Sequence, residues 1–199
     1  MKRPPKEPTP APTRASLREA AYAHLGRVAA SEAQVKARLV AAIAAWARRA
    51  VAAGGDEHEI ALAVEAAREL VPEVVAELAA SRLVDDTRFA AARARRLGEA
   101  GKSRRVILLH LASKGVDTET AHEVVPKDAS TELDAALRFA RKRRIGPFAR
   151  EDEGEPTREV RQKQLGAMAR AGFDVSTCER VLRLGREEAE ERLGTRGGW

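Results

Sequence analysis

The sequence predicts an all-α protein built as an elongated tandem array of three-helix repeats. Three observations carry that prediction. The composition is rich in Ala, Leu, Glu and Arg, 44% hydrophobic, and holds only four Phe, two Trp and one Tyr. Such a mixture favours helix and fills a core with small side chains. Apolar residues recur in threes and fours rather than in alternation, as in Val106, Ile107, His110 and Leu111, which is the period of a helix and not of a strand. A helix joint near residue 115 also returns 57 residues later, as a tandem repeat requires.

The elements follow in order. Five of the nine prolines fall within residues 4–12, so residues 1–14 read as an extended, disordered basic arm. A first repeat over 15–83 holds helices at 16–28, 31–52, 57–69 and 72–81, with Pro72 opening the last. A second repeat over 84–126 holds helices at 87–100, 104–114 and 118–125. The third, over 127–192, holds helices at 130–145, 156–171 and 175–192. Residues 193–199 form a Gly-rich flexible tail ending in Trp199.

The joints are more specific than the helices. After Ser113-Lys114, Gly115 takes the left-handed position that closes one helix. Asp117 caps the next, and Val116 and Ala121 sit where a hydrophobic staple forms. The pattern returns with Gly172 for Gly115, Asp174 for Asp117, Thr177 for Thr120 and Val181 for Val124. Arg95-Arg96-Leu97-Gly98 likewise matches Arg143-Arg144-Ile145-Gly146 at an offset of 48. The difference in offset is an insertion in the acidic loop around Arg150 to Glu155.

Catalytic and metal patterns fail one by one. Gly98-Glu99-Ala100-Gly101-Lys102-Ser103 lacks the first glycine of a phosphate-binding loop, since position 96 is Arg96. Asp56-Glu57-His58-Glu59 has Leu62 where a zinc-binding helix needs a second histidine. It reads as the acidic first turn of a helix. One cysteine, Cys178, excludes an intrachain disulfide and a thiolate-rich metal site. It is placed to be a small buried hydrophobe. No enzyme, metal or cofactor is predicted. The longest apolar run, Leu39 to Ala47, is too short for a membrane span of about 20 residues, and Met1-Lys2-Arg3 opens no secretion signal. The expected setting is the cytoplasm.

Charge carries the functional signal. The net charge is +6 and the isoelectric point near 9.9, but the signs are blocked. Residues 82–114 net +6, residues 115–134 net −5, and residues 135–150 net +6. A solvated helix face mixes signs to gain i,i+4 pairs; these blocks forgo that. Arg104 and Arg105 even occupy a helix's first turn, where its dipole disfavours cations. Arg141-Lys142-Arg143-Arg144 is a four-cation cluster.

Leu83-Val84-Asp85-Asp86-Thr87-Arg88-Phe89-Ala90, with the Lys102 to Arg105 joint and the Ser113 to Asp117 turn, resembles the RecX family of bacterial recombination regulators. The likeness spans roughly residues 15–185 and is sharpest over 82–125. The first repeat departs from it, with an Ala-rich helix through Trp46 and an added stretch from Gly54 to Leu70. The resemblance implies a three-unit helical modulator, without a catalytic site, that lies along the RecA recombinase filament on DNA and lowers ATP hydrolysis and strand exchange. It would thereby modulate recombination and the SOS response. On that reading Asp85 and Asp86 cap the helix near Thr87, while Phe89 and Leu97 face the core. Partner or DNA contacts fall on Arg93, Arg95, Arg96, Lys102, Arg104, Arg105, Arg141, Lys142, Arg143 and Arg144, on a monomer. The alternative is a free-standing helix-turn-helix module. Against it stand the lack of a base-reading set and the scarcity of aromatics for stacking.

Overall fold

The computed structural model describes residues 10–150 and 157–195. Every regular element among them is helical. Two compact units are formed, one ending at Phe89 and the other beginning at Ala90.

The first unit packs α1 (Arg14–Leu25), α2 (Glu32–Ala52) and α3 (Glu57–Ala80) around one core. In α2 the buried positions are Val35, Leu39, Ile43 and Trp46, a spacing that draws a single stripe along the helix. Leu17 and Ala21 of α1 meet it, as do Ala67, Val71, Val74 and Leu78 of α3. Helix starts follow the side-chain caps. Ser31 accepts from the Gln34 amide while the Gln34 side chain accepts from the Ser31 amide, a reciprocal cap.

Two expectations change here. The helices predicted at 57–69 and 72–81 are one, with Pro72 inside it. Interior proline costs about 3 kcal/mol, yet the stripe from Ala67 to Leu78 runs past it unbroken. Burying a side chain of this kind returns about 1.5–3 kcal/mol, so packing wins. Pro72 and Arg68, whose carbonyl loses its donor, both face solvent. The basic arm also ends earlier than residue 14. Thr13 caps α1, and Arg14 pairs with Glu73 at 3.4 Å and with Glu77. Residues 1–9 of that arm lie outside the described residues.

The aspartate pair divides its work. Helix α4 (Asp86–Glu99) begins one residue before the predicted Thr87. Asp85 caps it, accepting from the Arg88 amide at 2.8 Å. Asp86 instead accepts from the Glu32 amide at 2.8 Å, securing the first turn of α2. Phe89 and Leu97 are half-buried, and Ala90, Ala94 and Gly98 form the buried edge of α4.

The second unit continues with α5 (Arg104–Ser113), α6 (Thr118–Val124) and α7 (Ala129–Arg143). A short 3-10 turn over Gly146–Phe148 follows, then α8 (Arg158–Arg170), α9 (Val175–Arg183) and α10 (Arg186–Thr195). Both repeated joints are realised. Gly115 and Gly172 have φ of 74° and 90°. Asp117 caps α6 through the Glu119 and Thr120 amides, and Asp174 caps α9 through the Thr177 amide. The staple pairs Val116 with Ala121 and Phe173 with Cys178 are all buried. The match slips only past the staple. Val181 is fully buried, whereas its counterpart Val124 is half-buried and Val125 takes the core position.

The helix predicted over 175–192 is two. Leu184 is extended (ψ 140°), and α10 starts after Gly185. The break turns α10 back onto α7, where Ala189 is buried and Arg192 pairs with Asp134 at 2.5 Å. Arg192 also donates to Ser130. Helix α10 continues to Thr195, into the stretch expected to be a tail. Trp199 lies outside the described residues, as does the acidic loop 151–156. Helix α7 stops at Arg143, because Arg144 adopts a left-handed conformation with φ 54°.

Candidate functional site

The two basic blocks meet because of a glycine. Gly101 ends α4 with φ 77°, and a Cβ there would lie 2.8 Å from the Phe139 backbone nitrogen. Without one, the end of α4 rests directly on α7. Lys142 then donates from Nζ to the Ala100 carbonyl at 2.8 Å. The 141–144 cluster is thus brought beside Lys102, although 39 positions separate Lys102 from Arg141 in the chain.

Arg96, Lys102, Arg141, Lys142, Arg143 and Arg144 are all exposed. Arg96 lies one turn before Ala100 on α4. The Arg143 guanidinium sits 5.9 Å above the Phe139 ring, which is 5.6 Å from that of Phe173. Arg143 is therefore seated on an aromatic pair that reaches the α8–α9 joint. Arg95 is exposed and loosely paired with Glu99 at 3.9 Å. We call this surface the ridge.

Other predicted contact residues sit elsewhere. Arg93 is half-buried and donates from Nε to His110 Nε2 at 2.8 Å. Burial, then the charges of Arg93 and Lys114, lower the His110 pKa, in keeping with a ring that accepts this bond as a neutral imidazole. Arg104 is half-buried as well. Its backbone amide donates to both Glu132 carboxylate oxygens at 3.0 and 3.3 Å, and its guanidinium lies 3.2 Å from His122 Nδ1. Burial raises the Glu132 pKa, with the Arg104 amide opposing it. Arg105 is exposed on the α5 side, facing a groove of about 520 Å³ rather than the ridge.

Several cations escaped the sequence reading. Arg158, Arg161, Lys163 and Arg170 are exposed on α8; their spacing along 158–170 was the available signal. The groove was not legible, since its walls come from residues 104–109, 127–132 and 172–177.

The joint residues act on stability. The Thr177 amide, then the Ser176 hydroxyl, hold the Asp174 carboxyl below its ordinary range, and the Thr131 amide does the same for Asp128. A depressed carboxyl contributes stability above its unfolded pKa, and that stability is lost as pH falls through the folded value. Asp174→Ala is therefore expected to cost about 1–2 kcal/mol at neutral pH, as loss of a cap does. The difference from the parent should shrink below about pH 4, which urea melts at about pH 7 and about pH 3 measure. Cys178 is buried and its thiol is pushed up to about 11, by burial first and then by Asp174; a thiol so placed is a poor nucleophile. Among the described residues no helix is long and apolar enough to cross a membrane, and no group of three or more His, Cys, Asp or Glu is set to hold a metal ion.

Fold and surface together define a class: an all-helical repeat protein with glycine-closed, aspartate-capped joints and a cationic ridge formed by α4, the turn after it and the end of α7. The model of the family described as "RecX, second three-helix domain" matches residues 85–125. The chain is 37% identical over 170 residues to the regulatory protein RecX of Myxococcus xanthus, covering 83% of each. To the RecX of Agrobacterium fabrum it is 37% identical over 112 residues, covering 56% of this chain and 58% of that one. The chain belongs to the RecX family of regulatory proteins. The crystal structure of RecX from Lactobacillus salivarius shares the fold, with a TM-score of 0.62 at 18% identity, over 85% of this chain and 94% of that one.

Proposed function

We propose that this protein binds the RecA–DNA filament and lowers RecA's ATP hydrolysis and strand exchange, without catalytic chemistry of its own. In this way it modulates recombination, DNA repair and the SOS response in the cytoplasm. Membership of the RecX family supports the regulatory role, and the ridge is the observation that carries the contact. Two blocks of +6 on either side of a −5 block become neighbours through Gly101 and Lys142. Clustered arginine and lysine neutralise phosphates and release counterions, and arginine also binds carboxylates in a fork. The ridge, comprising Arg96, Lys102 and Arg141 to Arg144, is assigned to the DNA of the filament.

A titration of RecA's DNA-dependent ATPase tests this. Slowing at sub-stoichiometric amounts is the expected result, with release as salt rises. An unchanged rate at every ratio overturns it. Tight, sequence-specific duplex binding in the absence of RecA would mark a free-standing helix-turn-helix module instead.

A further inference from the structure

Helix α8 carries a polar face that nothing in the fold uses. Gln162, Lys163, Gly166, Ala169 and Arg170 fall at helical spacing on one side, while Met168 on the opposite side is buried. Lys163 and Arg170 are exposed, and among the described residues neither side chain has an ion-pair or hydrogen-bond partner. Gly166 stands between them. Glycine is the poorest helix former after proline, so one in mid-helix calls for a reason, and the fold supplies none. A Cβ at Gly166 would meet only Arg170 Nη1, at 3.3 Å, the far end of a flexible side chain. The other glycines within helices differ: Gly98 is buried in α4, and Gly194 lies in the last turn of α10.

Bare helix backbone between two open cations lets a partner come close. The face offers that partner nothing apolar larger than Ala169, whereas protein interfaces centre on aromatic or large apolar anchors and are depleted in lysine. Phosphate contacts need what is present: a lysine, an arginine, a glutamine amide and room for the sugar–phosphate backbone. The carboxylate on this side of α8, Glu159, lies in the first turn, about 10 Å along the axis from Gly166. Four more carboxylates precede α8 at 151–155, which confines the site to its C-terminal half. That half adjoins the ridge. Ala171, which follows Arg170, accepts from Ser103 Oγ at 2.8 Å, and Ser103 follows Lys102.

We infer that the Lys163–Gly166–Arg170 face of α8 is a second contact for the sugar–phosphate backbone of DNA, with Gly166 leaving room for its close approach. The inference rests on the proposed DNA binding and deepens it, carrying the bound strand beyond the ridge.

The test uses the full chain with Gly166→Ala, Gly166→Leu and Lys163→Ala/Arg170→Ala, and a fluorescein-labelled oligothymidylate as the probe. Gly166→Ala should raise the urea midpoint, because alanine is the better helix former and little stands in its way. Lys163→Ala/Arg170→Ala should weaken DNA binding by about tenfold and lower the slope of log affinity against log salt by about 1.4. Gly166→Leu leaves the net charge unchanged, yet should weaken binding by about tenfold as well, since it holds the same two phosphates off. Arg158→Ala/Arg161→Ala removes an equal charge at the acidic end of α8 and should stay within about twofold of the parent. Anisotropy across a salt series reads all four. A lower midpoint in Gly166→Ala gives the glycine an internal role and overturns the inference. An equal loss in Arg158→Ala/Arg161→Ala makes net charge the cause and overturns it too. Parental affinity in Lys163→Ala/Arg170→Ala overturns it and leaves the ridge and the proposed function in place; if those variants also cease to pellet with RecA filaments, the face belongs to protein. Should Gly166→Leu fail to fold by circular dichroism, the exposed alanine pair decides. If the parent binds DNA through α8 but never slows RecA's ATPase, the filament reading fails and the α8 contact stands.

Discussion

Arg96→Ala/Lys102→Ala/Arg141→Ala/Arg143→Ala is expected to weaken binding to single-stranded DNA by roughly 10²–10³-fold at moderate salt. The slope of log affinity against log salt should fall by about 3, since each phosphate neutralised on a single strand contributes about 0.7. Binding to RecA filaments should weaken as well. The four side chains are exposed, and surface changes of this kind move stability by about 0.5 kcal/mol or less each. Arg143 adds the loss of its contact with Phe139, worth about 0.5–1 kcal/mol. Helicity and melting should therefore be nearly those of the parent. Lys142 and Arg144 are better left in place. Lys142 holds the Ala100 carbonyl and Arg144 closes α7 in a left-handed conformation, so changing all of residues 141–144 would mix a binding effect with a structural one. Anisotropy titrations across a salt series measure both affinity and slope. Unchanged values would show that the ridge faces away from DNA.

The second large effect is on the fold. Gly54, Gly101 and Gly172 all have positive φ, and an alanine in that region costs about 1–2 kcal/mol on backbone grounds. Space separates them. A Cβ at Gly54 meets nothing within 4 Å, whereas one at Gly101 meets the Phe139 backbone nitrogen at 2.8 Å. At Gly172 it would lie 2.5 Å from Ser103 Oγ, a hydroxyl that is fully buried and donates to the Ala171 carbonyl at 2.8 Å. Overpacking adds about 1–3 kcal/mol, and displacing that hydroxyl forfeits about 1 kcal/mol more of hydrogen bonding. Gly54→Ala should thus cost about 1–2 kcal/mol, and Gly101→Ala about 2–5. Gly172→Ala should cost the most, a large part of the roughly 5–15 kcal/mol that holds a domain folded. Urea midpoints for the three variants give the order; equal losses would mean that backbone conformation alone sets the cost.

The joints account for the division into two units where three repeats were expected. The Ser103 hydroxyl bonds across to Ala171, the Arg104 amide to Glu132, and Lys142 to Ala100. These bonds tie the predicted second repeat (84–126) to the third (127–192), so residues from Ala90 onward pack as one body. The ridge lies at the Gly101 end of that joint, and Gly172 lines the groove at the other.

The sequence by itself determined the all-helical class, the glycine–aspartate–staple joints at 115–121 and 172–178, and the blocked charge. Each is a local property: helix period, cap and dipole are written within one or two turns of chain. Tertiary structure alone decided that α3 runs through Pro72, that α10 folds back at Gly185, and that Asp86 serves α2 rather than α4. It also decided which cations stand exposed near one another, bringing the turn that carries Lys102 against the end of α7 through Gly101 and Lys142 while turning Arg93 to His110 and the Arg104 amide to Glu132. Those outcomes depend on contacts between residues 17 to 62 positions apart. No local pattern encodes such distances, because they are set by the packing of one helix on another.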